Sequence, residues 1–219
     1  MQTIYSELTL AECGDRFIMG RLFVAAELDS SAEKHLSEVT TGLIDITSRK
    51  IRWVPPENWH LTLTFIGEVD DQHTLLVADN IRYASEGILR FIVKIDELIT
   101  LPNEGNPRIL ALKVLDESRW LSCAKRRLEA RLADLGLEIE SRAFSPHITI
   151  GRMRDKFISY PRSDLGSMKR FVAQIGAQRV VVNGLSLISS LLTREGPVYR
   201  QEEVITFLSK EHCKIYPNI

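Results

Sequence analysis

Polar and aliphatic residues alternate in two short stretches that lie 87 positions apart, His60-Leu61-Thr62-Leu63-Thr64-Phe65 and His147-Ile148-Thr149-Ile150. Such alternation marks a half-buried β-strand, whose side chains point to opposite faces with period two. The pattern puts His60 and Thr62 on one face, with Leu61, Leu63 and Phe65 on the other. His147 and Thr149 share a face in the same way, backed by Ile148 and Ile150. Each strand offers an imidazole and a hydroxyl together over core packing.

The remaining pattern fills in around these strands. Residues 1–16 commit to no element and read as a leader. The apolar run from Arg21 to Leu28 reads as a buried strand. Ser30 with Glu33 forms a capping box for a helix whose stripe is Leu36, Val39, Leu43 and Ile46. His35 lies one position off that stripe and is expected at the surface. Trp53-Val54-Pro55-Pro56-Glu57-Asn58-Trp59 is a stiff turn, because two prolines fit neither a helix interior nor a central strand. It leads into the His60 strand, which Gly67 ends. Asp70 or Asp71 caps a second helix that stops at Gly87, with His73 solvated in its first turn. Phe91 to Ile95 is a further strand.

Leu101-Pro102-Asn103-Glu104-Gly105-Asn106-Pro107 is the strongest breaker cluster in the chain. Beyond it the order of elements starts again. Ile109 to Leu115 reads as a strand, and Leu121, Ala124, Leu128, Leu132 and Leu135 as a helical stripe stopped by Gly136. The His147 strand follows, then a helix carrying Leu165, Met168, Val172 and Ile175 and stopped by Gly176. Arg179–Val182, Leu185–Ile188 and Val204–Leu208 read as strands. Leu22 stands 38 residues before His60, and Leu110 stands 37 before His147. The layout is that of an internal duplication. It predicts an α+β, bilobal fold in which two pseudo-symmetric lobes each carry an antiparallel sheet flanked by helices. With the sheets facing, His60 and His147 line opposite walls of one cleft. The expected domain is residues 21–209, with halves of about 21–100 and 108–209, a leader over 1–20 and a tail over 210–219.

Bulk properties narrow the class. The 219 residues are 44% hydrophobic and 26% charged, ordinary for a globular protein, and suffice for one domain of two lobes. A net charge of −1 excludes a global basic field, so nucleic-acid contact has to be a local patch. No apolar run spans a membrane and no signal peptide leads the chain, so a cytoplasmic monomer is expected. Cys13, Cys123 and Cys213 are far apart, odd in number and without metal-ligand spacing, as for free thiols in a reducing compartment.

Either motif alone reads more readily as an amphipathic strand that happens to hold a histidine. The pair does not, because only five histidines are present. Ordinary residue frequencies would place two of them in such settings in on the order of one chain in ten thousand. Two imidazoles across a cleft suit general acid–base catalysis, one taking a proton from water and the other giving one to a leaving oxygen. The hydroxyls of Thr62 and Thr149 can donate to non-bridging oxygens of a phosphate. A cyclic phosphodiester fits this machinery, since in-line attack needs acid and base on opposite sides of phosphorus. Metal binding is the rival use, but neither motif carries a carboxylate or second imidazole to complete a site. No metal and no cofactor is called for.

The chain resembles the 2H phosphoesterases, and within them the RNA 2′,3′-cyclic phosphodiesterases, also called 2′-5′ RNA ligases. The resemblance rests on Arg21–Ala25, on Arg52-Trp53-Val54-Pro55-Pro56-Glu57-Asn58-Trp59-His60-Leu61-Thr62-Leu63-Thr64-Phe65-Ile66-Gly67-Glu68-Val69, on Phe144-Ser145-Pro146-His147-Ile148-Thr149-Ile150-Gly151-Arg152, and on Leu185–Ser190. It implies a bilobal fold and hydrolysis of a 2′,3′-cyclic phosphate at an RNA end to a 2′-phosphate. It further implies that His60 is the proton donor and His147 the proton acceptor, though nothing in the sequence forbids the exchange. Members of the family also join RNA ends through a 2′-5′ bond. The chain departs from many relatives in its longer leader and in carrying Ala111 where they hold tryptophan.

Other candidates are weaker. Arg152 follows the second motif and is a candidate phosphate ligand; a structural surface arginine is the equal alternative. Phe23 and Phe144 are candidates for stacking on a base, although aromatics at such positions are more often core. Lys125, Arg126, Arg127 and Arg131 form a basic run on one helix, either a solvated face or a guide for an RNA backbone. Three other functions fit the same residues. They are a phosphodiesterase of small cyclic nucleotides, a nucleotide- or RNA-binding module without turnover, and a metal-dependent phosphodiesterase.

Overall fold

The computed structural model describes residues 21–47, 51–69, 71–137, 143–154, 162–193 and 197–209. The expected leader and tail, Asp70, Cys13, Cys213 and the side chain of His73 lie outside the described residues.

Among the described residues, eight strands and four helices follow one another. They are β1 (Arg21–Leu28), α1 (Ser30–Ile46), β2 (Ile51–Trp53), β3 (Leu61–Glu68), α2 (Asp71–Ser85), β4 (Phe91–Leu101), β5 (Ile109–Leu115), α3 (Trp120–Asp134), β6 (His147–Met153), α4 (Arg162–Ile175), β7 (Gln178–Leu192) and β8 (Pro197–Thr206). A 3-10 turn at Pro56–Asn58 takes up the proline pair. Gly87, Gly136 and Gly176, the expected helix stops, all adopt positive φ, which costs a glycine no Cβ clash.

The pairings between these strands are antiparallel, and the order is β1-β3-β6-β5-β4-β7-β8 with β2 on β6. Because β1 also pairs β7, the strands close on themselves. One lobe is β3-β1-β7-β8 and the other β2-β6-β5-β4. The duplication is strand-swapped: the second half gives β7, with β8 beside it, to β1, and the first half gives β4 to β5. At the junction β4 pairs β7 over five residues, and β3 meets β6 at the single pair Leu61–Ile148. Leu61, Ile148 and Ile150 are fully buried in a core that runs through both lobes.

Several expectations need correction. Asp29, not Ser30, caps α1: one carboxylate oxygen accepts from the amide of Ser31 and the other from the amide of Val181 on β7. That second contact is tertiary and leaves no local pattern. His35 is buried at 6% exposure, because the inward face of α1 takes in Ala32, His35 and Thr40 beside Leu36, Val39 and Leu43, while Ile46 of the expected stripe is exposed. The two strands expected at 179–182 and 185–188 are one, β7, because Gly184 does not turn the chain. A Cβ there would stand 2.2 Å from the carbonyl oxygen of Ile205, so the glycine admits β8 at close range. β8 starts at Pro197, well before the expected strand, and the short β2 carries no signal of its own.

Strict alternation places Phe65 beside Leu61 and Leu63 in the core. It is instead 57% exposed, while Thr64 is buried. The register shift between Val24 and Ala25, which pair with Thr64 and Thr62, explains this, because an extra residue in a strand inverts the alternation beyond it.

Candidate active site

The pair Leu61–Ile148 places the two motifs side by side, since each histidine directly precedes one of these residues. The strands run antiparallel through the pair, so each histidine lies on the side of the other strand's threonine. His60, Thr62, His147 and Thr149 all line one cleft of about 1030 Å³. The duplicated layout brings its two copies together at their own seam.

Both imidazoles are held alike. Nδ1 of His60 donates to the carbonyl of Asn58 at 2.8 Å, and Nδ1 of His147 to that of Ser145 at 2.7 Å. Each acceptor is two residues upstream, presented by the turn that enters the strand. A carbonyl can only accept, so Nδ1 carries the hydrogen and Nε2 is left for the cleft. A neutral ring then accepts a proton at Nε2, and a charged ring donates one.

The two rings differ in their surroundings. His60 packs on Phe23 at 4.8 Å between ring centroids and meets Tyr199 edge-on at 5.2 Å and 88°. Burial pushes the pKa of His60 below 6.5; the Asn58 carbonyl opposes this, while the positive charge of Arg152 and of His147 adds to it. Burial raises the pKa of Tyr199, against a smaller lowering by Arg152. Arg152 is thus close enough to act on both rings.

Among the described residues, four cations line the cleft, Arg52, Arg108, Lys125 and Arg152, and no carboxylate does. Arg52 on β2 and Arg152 on β6 are register partners, and both are exposed. Lys125 is nearly buried, ion-paired with Glu129, and lies 5.6 Å from the centroid of Phe144. Thr64 donates to the same Glu129 carboxylate at 3.1 Å. Two further members of the expected basic run do other work. Arg127 donates to the carbonyl of Glu86 and Arg131 stands over the ring of Tyr83, so these two tie α3 to α2.

Arg152 and Phe144 therefore face the cleft, as Thr62 and Thr149 do. Phe23 does not: at 2% exposure it is the floor beneath His60 and is unavailable to a base. The exposed Phe65, 5.8 Å from Phe23, takes a place at the cleft wall. Ala111 is fully buried beside Thr149. Sequence reading missed Tyr199, Arg52, Arg108 and Phe65. Tyr199 sits on the part of β8 that goes unrecognised in the sequence; the Pro197-Val198-Tyr199 alternation is its only signal.

Comparison with known proteins agrees with this arrangement. The LigT-like phosphoesterase family model matches twice in tandem, over residues 27–111 and 114–199. His60 in the first match and His147 in the second both stand 33 positions from its start. An RNA 2′,3′-cyclic phosphodiesterase of Aquifex aeolicus is 29% identical over 178 residues, covering 81% of this chain and 89% of that protein. One of Archaeoglobus fulgidus is 27% identical over 184 residues, covering 84% and 98%. Among solved structures, TT0787 of Thermus thermophilus superposes with a TM-score of 0.68 at 25% identity, over 87% of this chain and 99% of that one. LigT of E. coli, in complex with 3′-AMP, shares the fold with a TM-score of 0.67 at 20% identity, over 86% and 98%. A model that accounts for both halves of the molecule, with one histidine motif in each, shows that the chain belongs to the LigT-like phosphoesterase family.

Proposed function

We propose that the protein hydrolyses 2′,3′-cyclic phosphate ends of RNA to 2′-phosphates by two-histidine acid–base catalysis. The observation that carries the reading is the Leu61–Ile148 pair, which joins two copies of one His-x-Thr strand in a cleft whose described lining holds cations and no carboxylate. Cations without carboxylates suit a phosphodiester anion. The names of the relatives supply the cyclic RNA end as the substrate.

In this mechanism Nε2 of neutral His147 takes a proton from water as the oxygen attacks phosphorus. The P–O3′ bond breaks in line, and Nε2–H of charged His60 protonates the departing O3′. The product is a 2′-phosphomonoester with a free 3′-hydroxyl, and the two histidines exchange protons with solvent to reset. Thr62 and Thr149 donate to the non-bridging oxygens, and Arg152 balances the charge that develops there. Phe144 offers a ring at the cleft wall for a base. Reversal, with a ribose hydroxyl in place of water, is 2′-5′ ligation.

A second reading exchanges the histidines. It is favoured by the lowered pKa of His60, since burial disfavours the charged form that a proton donor needs. Against it, the substrate's negative charge opposes the part of that lowering that comes from Arg152 and His147.

The test is incubation of chelator-treated protein with a short RNA bearing a 2′,3′-cyclic phosphate, the end group being read by ³¹P NMR. A 2′-phosphate is expected. An unreacted ring would overturn the reading, and a 3′-phosphate would reverse the identity of the leaving oxygen. Activity that appears only on adding back a divalent cation would replace acid–base catalysis by the metal-dependent alternative.

A further inference from the structure

A second cavity, of about 390 Å³, lies on the other side of His60 and Tyr199, which line both spaces. Its charge is the inverse of the cleft's. Among the described residues, Glu27, Asp29, Glu33 and Glu57 line it, and no lysine or arginine does. The carboxylate of Asp29 is already committed to the start of α1 and to β7. Glu27 accepts from Nε2 of Gln201 at 2.9 Å through one of its two oxygens.

Two buried donors in the same walls have no partner among the described residues. Ser186 is fully buried, and its Oγ makes no hydrogen bond. Nε1 of Trp59 is likewise buried and unbonded. Unmade hydrogen bonds of this kind destabilise a fold, so both groups call for a ligand with acceptors. Ser186, Ala25 and Thr62 are register neighbours across β7, β1 and β3, so Ser186 shares a sheet face with Thr62. Two inter-strand steps separate them, roughly 9–10 Å.

We infer that this cavity receives a nucleobase bearing an exocyclic amino group, an inference that rests on the proposed action at RNA ends. The carboxylates repel phosphate and so admit only the uncharged part of a nucleotide. A base supplies ring-nitrogen or carbonyl acceptors to Trp59 and Ser186, and flat faces to Trp59 and Tyr199. Its amino group donates to Glu27, as acidic side chains accept from amino groups of bases elsewhere. Uracil lacks the amino group and sets its carbonyl against the carboxylate. Guanine, adenine or cytosine is therefore preferred over uracil.

The test uses free nucleosides, which need no turnover. Guanosine, adenosine, cytidine and uridine are titrated into the full chain by NMR. At least one amino-bearing nucleoside should bind tenfold or more tighter than uridine. Glu27→Gln and Ser186→Ala should each cut that ratio severalfold, with chemical shifts of the core unchanged. Equal binding of uridine overturns the inference, as does a preference that survives both variants. Binding of spermidine with no nucleoside bound also overturns it, in favour of a cation site. The two readings separate cleanly: nucleoside preference without hydrolysis of cyclic ends removes the proposed function and keeps the pocket. Hydrolysis without preference does the reverse.

Discussion

At the residue scale, the two histidines share a tautomer but not an environment, and this difference is measurable. Burial, and then the positive charge of Arg152 and of His147, holds His60 away from its charged form. Removing the guanidinium in Arg152→Gln relieves one of these repulsions, so the pKa of His60 should rise. An NMR titration of the two proteins checks the direction; an unmoved or lower value would remove Arg152 from the site. The same physics acts on stability through His35, which burial also holds below its ordinary 6.5. A lowered folded pKa means that the unfolded chain takes up the proton first as pH falls. The contribution of His35 is thus full above pH 6.5 and lost as pH drops from there toward the folded value. In His35→Leu the fall of the denaturant midpoint below pH 6.5 should be shallower than in the wild type; an unchanged slope would count against it.

At the element scale, the histidine strands were legible because half-burial writes a period of two into the sequence. Leu61, Leu63, Ile148 and Ile150 are buried where that period put them. The glycine stops were legible because positive φ excludes most other residues. Elsewhere the determinant was remote. Phe65 changed face through a bulge set by pairing with β1, and Asp29 became a cap partly through β7. Gly184 resembled a turn residue, but its role is to let the backbone of β8 approach. Gly184→Ala should accordingly lower stability by about 1–3 kcal/mol, as overpacking does. The check is a lower denaturant midpoint at unchanged m-value; a wild-type midpoint would show that β7 and β8 can part without cost.

At the scale of the whole molecule, sequence spacing revealed the duplication but not the exchange of strands between its halves. Spacing records order along the chain, whereas the pairing of β7 with β1 joins strands from its two ends. That exchange holds the lobes together around the Leu61–Ile148 seam and opens the cleft between them. The cationic lining then bears on substrate size. If an RNA chain follows the cleft, log kcat/KM for a cyclic-ended oligomer should fall with log salt more steeply than for a cyclic mononucleotide. The difference should be about 0.7 in slope for each further phosphate engaged. Equal slopes would point to a small cyclic nucleotide as the substrate.

The central claim is that His60 and His147 form an acid–base pair on one phosphodiester. It is tested most directly with a cyclic RNA end whose departing 3′ oxygen is replaced by sulfur, because a thiolate leaves without a proton. With the oxygen substrate, His60→Ala and His147→Ala should each lose about 10²–10⁴-fold in rate. With the sulfur substrate, His60→Ala should recover most of its activity and His147→Ala should not. Recovery in His147→Ala alone would exchange the two roles, and wild-type rates in both variants would contradict the account.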